Sequence, residues 1–135
     1  MLELPQKGMV LNNKLITEVF GCQFEGGIRK SKKNHLLVLI NDPAQSLYQN
    51  RWEKDVFYFT AIGKKGNQSL ETPWQNRDLS QVNIAGQRVF LFEKLKPAHY
   101  LFQGEVVVGQ PVTEIQPDEA GHAREVFVFP VRLKS

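Results

Sequence analysis

At 135 residues the chain has the size of one ordinary domain and too little material for two cores, and a 41% hydrophobic share excludes a disordered chain. No apolar run approaches the roughly 18 residues of a bilayer span, and the N-terminal stretch carries Glu3 and Glu18 where a signal peptide needs an unbroken apolar segment, so a soluble cytoplasmic protein with no membrane partner is expected. The net charge of +3, from 17 basic and 14 acidic residues, is too mild to name a partner by itself.

The segment Asn13 to Phe20 has apolar residues at 15, 16, 19 and 20, the spacing of a helix face. Asn12 or Asn13 suits its N-cap and Gly21 its end. Beyond it the pattern turns to strands. His35 to Ile40 is a short apolar run fit for a buried strand. Asp55 to Ala61 alternates, with Val56, Tyr58 and Thr60 on one face and Phe57 and Phe59 on the other. Asn76 to Val82 predicts a short helix with Leu79 and Val82 facing inward. Arg88 to Phe92 and Tyr100 to Val108 are further strands, the second bent at Gly104. Glu125 to Leu133 is the last, and Pro130 marks it as an edge strand or a bulge. Two long polar loops interrupt this order: Asn41 to Lys54, holding Tyr48 and Trp52, and Gly63 to Gln75, holding Trp74. Loops of such length in a compact domain usually carry function. The expected fold is α+β and mainly β, a small twisted sheet or partly closed barrel with one or two short helices.

Catalytic chemistry finds no residues to rest on. His35, His99 and His122 form no metal-ligand pair, and a single cysteine, Cys22, excludes both an internal disulfide and a multi-cysteine zinc site. Between Phe20, Gly21 and Phe24, Cys22 reads as a small buried hydrophobe. There is no nucleophile elbow and no complete phosphate-binding loop, since Gly63-Lys64-Lys65-Gly66 lacks the rest of that pattern. Asp118 and Glu119 before Ala120-Gly121 read as a turn between strands. A non-catalytic binding protein without metal or cofactor is expected.

What remains is basic, aromatic and amide. Arg29, Lys30, Lys32 and Lys33 fall within five positions, and Lys64-Lys65 form a second pair. Tyr48, Trp52 and Trp74 stand among Gln49, Asn50, Arg51, Asn67, Gln68, Gln75 and Asn76. Aromatic faces stack on bases, while amides and arginine read base edges or hold phosphates. The plainer use of both tryptophans is to cover the core beneath their loops.

The order of these features resembles the SRA-like domains of bacterial McrA-type HNH restriction endonucleases, relatives of the eukaryotic SET-and-RING-associated domain. The resemblance runs from about Phe20 to Leu133. Gly26-Gly27-Ile28-Arg29-Lys30-Ser31 is similar to the Gly-Ile-Arg-x-Ser segment before the family's first barrel strand. Tyr48-Gln49-Asn50-Arg51-Trp52 is similar to Tyr-x-Asp-x-Trp. Phe59-Thr60-Ala61-Ile62-Gly63 and Gly66-Asn67-Gln68 resemble Tyr-Thr-Gly-x-Gly and Gly-Asp-Gln. Asn76-Arg77-Asp78-Leu79 matches a later Asn-x-x-Leu helix start, and Asp118 to Phe129 follows Asp-x-x-Gly-x-x-Arg-x-Val-x-x-Phe.

The resemblance implies a PUA-like barrel over about 24–133, behind the short helix at about 13–20, forming one DNA-binding domain over residues 1–135. It implies that a modified base, above all a modified cytosine such as 5-methylcytosine, is flipped into an aromatic pocket. Tyr48 and Phe59 match the family's pocket aromatics, and Asn50, Trp52, Thr60, Asn67 and Gln68 complete the implied pocket. Arg29, Lys30, Ser31, Lys32, Lys33, Arg51, Lys64, Lys65, Asn76 and Arg77 are the implied DNA-backbone contacts. The implied partner is modified double-stranded DNA, with a fused or associated nuclease in a modification-dependent restriction or anti-phage system. Two departures bear on what is read. Asn50 and Asn67 replace carboxylates, which accept from cytosine's amino group, by amides that both donate and accept. Phe59 and Ala61 replace the Tyr and Gly of Tyr-Thr-Gly. The residues also leave open a β-barrel that binds a protein or small ligand, and an RNA-binding PUA-like domain.

Overall fold

The computed structural model describes residues 3–45 and 47–134. Among them no helix is long and apolar enough to cross a membrane. Helix α1 (Asn13–Phe20) forms where its periodicity and caps place it. The Asn12 side chain accepts from the Leu15 N–H at 2.8 Å, and Gly21 closes the helix at φ 68°, its N–H donating to Thr17 O.

Among the described residues nine strands make one mixed sheet. They are β1 (Val10–Leu11), β2 (Ile28–Ser31), β3 (Leu36–Asn41), β4 (Arg51–Glu53), β5 (Val56–Thr60), β6 (Arg88–Lys96), β7 (His99–Val108), β8 (Val112–Pro117) and β9 (Ala123–Leu133). The order is β2-β3-β6-β7-β9-β5-β4, with β1 paired to β7 and β8 to β9. Strands β3 and β6 run parallel and the other pairs antiparallel. No ladder joins β2 to β4 among the described residues, so the sheet curls without closing into a barrel.

Every residue of β3 is buried because both faces of the sheet are covered there. Leu36, Val38 and Ile40 lie with Phe90, Phe92, Tyr100 and Phe102 beneath Ile16 and Phe20 of α1. Leu37 and Leu39 face the inside of the curl with Ile28, Phe57, Phe59, Leu91, Phe129 and Val131. Two short helices, α2 (Trp74–Ser80) and α3 (Val82–Ala85), plug that inner core with Leu79 and Val82. They replace the single helix expected from Asn76, and Leu79 and Val82 face inward as their spacing predicts.

The bend expected at Gly104 is a bulge. Leu91 pairs with Gly104 while Phe92 pairs with Phe102, and Gly104 takes φ 127°, which an L side chain rarely adopts. Pro130 lies in an interior strand rather than at an edge. One side of β9 pairs with β5 throughout 128–132, and the other passes from β8, whose first residue Val112 lies opposite Val128, to β7, whose last residue Val108 lies opposite Val131. Gly109 N–H donates to Pro130 O on that second side. The nitrogen of Pro130 therefore faces the handover, and no ladder bond is lost. Strands β1, β2, β4 and β8 escape the sequence reading because they are short, or polar, or mostly exposed.

Candidate nucleic-acid interface

A cavity of about 380 Å³ opens at the end of the sheet where β2 and β3 curl toward β5. That volume lies in the range of small-ligand sites. The segment before β2 contributes Gly26 and Gly27, β3 contributes Ile40, and β5 contributes Phe59 and Thr60. The loop from Asp42 to Asn50 supplies Asp42, Gln45, Tyr48 and Asn50, and the loop after β5 supplies Ile62 and Lys64. Arg29, Lys94 and Tyr100 complete the wall. A Cβ on Gly27 would sit 3.6 Å from Ile62 Cδ1 and 3.7 Å from Ile40 O, ordinary contact distances.

Polar side chains tie the two loops to the sheet. Tyr48 Oη accepts from Gly63 N–H at 2.9 Å, so its own proton remains free to donate. Asn50 Oδ1 accepts from Thr60 N–H at 2.7 Å, which fixes the amide orientation, and its NH₂ donates to Asn41 Oδ1 at 3.4 Å. Thr60 Oγ1 accepts from the buried Gln116 amide. Arg124, only 3% exposed, donates to the carbonyls of Gly63 and Gly66 and so holds the Lys64-Lys65 turn from below. Asp118 orders the neighbouring turn, accepting from the N–H groups of His122, Ala120 and Gly66. Those donors hold its carboxyl below the usual carboxylate range.

The structure thus brings together Tyr48, Asn50, Phe59 and Thr60 of the expected pocket. Three others stand elsewhere. Trp52 packs on Phe57 with ring centroids 5.1 Å apart, because strand alternation in β4 turns it away. Asn67 Oδ1 accepts from Glu125 N–H. Gln68 bridges Ala61 O and Phe127 N–H. Both amides fasten loop backbone to strands instead of facing the cavity.

The expected phosphate contacts divide in the same way. Lys32, Lys33, Lys64, Lys65 and Arg77 are exposed, although Lys65 lies 3.7 Å from Glu119 and Arg77 3.7 Å from Asp78. Arg29 and Ser31 are buried, since they sit inside a paired strand. Arg29 donates to Gly26 O and to Asn13 Oδ1. Lys30 pairs with Asp78 at 2.7 Å over the Trp74 ring. Arg51 grips Glu114 through both terminal nitrogens, which raises its already high pKa further. Asn76 is fully buried, holding Ile62 N–H, Ile62 O and Ser69 O. In all five a partner within the fold already engages the side chain, Ser31 Oγ accepting from Asn34 N–H, so none extends outward to a backbone phosphate.

Sequence reasoning missed Asp42, Lys94 and Tyr100. Lys94 and Tyr100 are opposite each other across the β6–β7 hairpin, and Lys94 Nζ lies 5.8 Å from the Tyr100 ring centroid. With Pro97-Ala98 as the turn, an unbroken register would set Leu95 opposite Tyr100; the bulge between Lys94 and Lys96 brings Lys94 there instead.

A strongly curled mixed sheet with a cavity at its open end, roofed by two polar loops, defines the class of small β-fold recognition domains. The profile described as "ScoMcrA-like, SRA domain" matches residues 7–133, and the chain belongs to that family. As an SRA domain it is a binding module rather than a catalyst. Solved structures share the fold. The sulfur-binding and SRA domains of ScoMcrA complexed with phosphorothioated DNA superpose with a TM-score of 0.74 at 18% identity, covering 96% of this chain and 40% of that one. The SUVH5 SRA domain with hemi-methylated CG DNA gives 0.73 at 17%, covering 99% and 91%. The DNA modification-dependent restriction endonuclease AspBHI gives 0.69 at 17%, covering 87% and 36%. The chain spans less than half the length of the ScoMcrA chains it matches. A search of curated proteins found no match.

Proposed function

We propose that the chain reads modified double-stranded DNA by drawing a modified base, a modified cytosine in the first instance, out of the duplex into the cavity beside Tyr48. The observation that carries this reading is the cavity itself. It has room for a base, with aromatic residues Tyr48, Phe59 and Tyr100 and the cation Lys64 in its wall. Stacking on an aromatic ring repays part of the few kcal/mol that unstacking costs. Exposed Lys32, Lys33, Lys64 and Lys65 supply the phosphate contacts that position the duplex. The relatives whose names describe them as restriction endonucleases are longer chains, so the nuclease of a modification-dependent restriction system is proposed to come from a fused or associated segment.

The test is a titration against matched duplexes carrying cytosine, 5-methylcytosine, 5-hydroxymethylcytosine and glucosylated cytosine at two salt concentrations. A preference of about tenfold, or roughly 1.4 kcal/mol, for one modified base is expected. Tyr48→Ala should erase that preference while keeping most of the salt-dependent affinity. Tyr48→Phe, which keeps the ring and loses the bond to Gly63, separates stacking from loop anchoring. Equal losses on plain and modified DNA would refute a flipping pocket. No binding at either salt would favour a protein- or ligand-interaction module.

A further inference from the structure

The cavity wall contains a buried cation without a counter-ion. Arg29 is 4% exposed, and its partners are the neutral oxygens of Gly26 and Asn13 and the Tyr100 ring, 5.9 Å from its guanidinium carbon. No carboxylate lies within ion-pair distance of it among the described residues. Buried charges are normally paired, because the loss of hydration is otherwise uncompensated. Lys94 approaches the same ring from 5.8 Å, so two cations flank one phenol. The single acid in the wall, Asp42, is partly engaged, with Oδ1 accepting from Ala44 N–H at 3.1 Å and Oδ2 3.7 Å from Lys94 Nζ.

The neutral groups of the wall point the same way. Asn50 Oδ1 accepts from Thr60 N–H and its NH₂ donates to Asn41 Oδ1, which leaves one amide proton for a ligand. Tyr48 Oη already accepts from Gly63 N–H and is left as a donor. The wall therefore offers cations and spare donors to an anionic acceptor.

We propose that the base held here carries an acidic exocyclic group, with a 5-carboxylated pyrimidine as the representative ligand, and that Arg29 and Lys94 bind that group. The inference rests on the reading that a flipped base enters this cavity, and adds what distinguishes that base. A backbone phosphate is the less fitting counter-ion. Arg29 is buried in the cavity wall, whereas the duplex has the exposed Lys32, Lys33 and Lys65 outside it. An ionised carboxylate meeting a guanidinium forms the stronger, charge-assisted kind of hydrogen bond.

The experiment measures binding of the full chain to matched duplexes bearing cytosine, 5-methylcytosine or 5-carboxylcytosine, for the wild type, Arg29→Gln and Lys94→Gln. The 5-carboxyl duplex is expected to bind at least about tenfold tighter than the 5-methyl duplex. Each substitution should shrink that gap several-fold, read against the 5-methyl duplex on the same variant. Lys94 is partly exposed, so Lys94→Gln keeps the test alive if Arg29→Gln does not fold. Wild-type protein that prefers 5-methylcytosine to cytosine but gains nothing from the carboxyl overturns the inference and spares the flipping pocket. A gap that survives Lys94→Gln undiminished also overturns it. Failure to distinguish any of the three duplexes removes both.

Discussion

The two faces of the β3–β6–β7 region are held by different physics. On the outer face, α1 lies on an apolar layer in which Phe20 meets Phe90, Phe92 and Phe102 with ring centroids 5.1 to 5.9 Å apart. At the cavity end the covering loops have few apolar residues, and single polar side chains fasten their backbone: Tyr48, Asn50, Gln68, Asn76 and Arg124. Apolar burial is non-directional and grows with area. A buried hydrogen bond is directional and costly to leave unmade. The first arrangement gives stability; the second gives position. A recognition cavity needs its loops placed without filling the space beneath them.

The largest expected effect tests the helix-covered face. Phe20 is fully buried, and Phe20→Ala should cost about 3–5 kcal/mol, read as a lower denaturant midpoint at unchanged m-value. DNA selectivity should persist in whatever fraction stays folded. The comparison weakens if selectivity is lost along with stability.

A smaller cost and a more local consequence are expected at Asn76. Its removal strands Ile62 N–H, Ile62 O and Ser69 O. Asn76→Ala should therefore destabilise by about 2–3 kcal/mol. Hydrogen exchange should quicken first at the Ile62 and Gly63 amides, with the α1 amides following only at global unfolding. Uniform exchange across both regions would show that the loops and the helix-covered face open as one unit.

The same contrast explains what the sequence disclosed. Helix α1 is legible to the residue because its signals are local, Asn12 at one end and Gly21 at the other. Strands β3, β5 and β9 announce themselves by apolar and aromatic runs. Tyr48, Asn50, Phe59 and Thr60 reach the cavity list through motif order, which preserves neighbours along the chain. Lys94 and Asp42 do not, because a hairpin register and a loop end bring them there from 52 positions apart, the same separation that joins Asn41 to Glu93. Arg29 looks like part of a solvated basic run because charge counting ignores strand pairing. Asn67, Gln68 and Asn76 look like base readers because reading a base and fastening a loop require the same amide chemistry. Only the fold decides which partner is present.

The smallest effect belongs to a polar contact that is neither buried nor part of the cavity. Arg88 donates to both oxygens of Glu105, at 3.0 and 2.8 Å, and Lys134 stands 3.6 Å away. Hydrogen bonds from Arg88 hold the Glu105 carboxyl below its usual range. With its folded pKa depressed, the pair stabilises the fold above the unfolded carboxylate value of about 4.3. That contribution is lost as pH falls through the lower folded value. Because the Arg88 side chain is 47% exposed, water and salt screen the pair, and its worth is below about 1 kcal/mol. Glu105→Gln should lower the urea midpoint slightly at neutral pH, and the difference should vanish in acid below the folded pKa. A loss comparable to Asn76→Ala would mean that burial is not what separates the loop fastenings from an ordinary surface ion pair. A small loss confined to neutral pH would leave burial as the property that lets single side chains hold the cavity open.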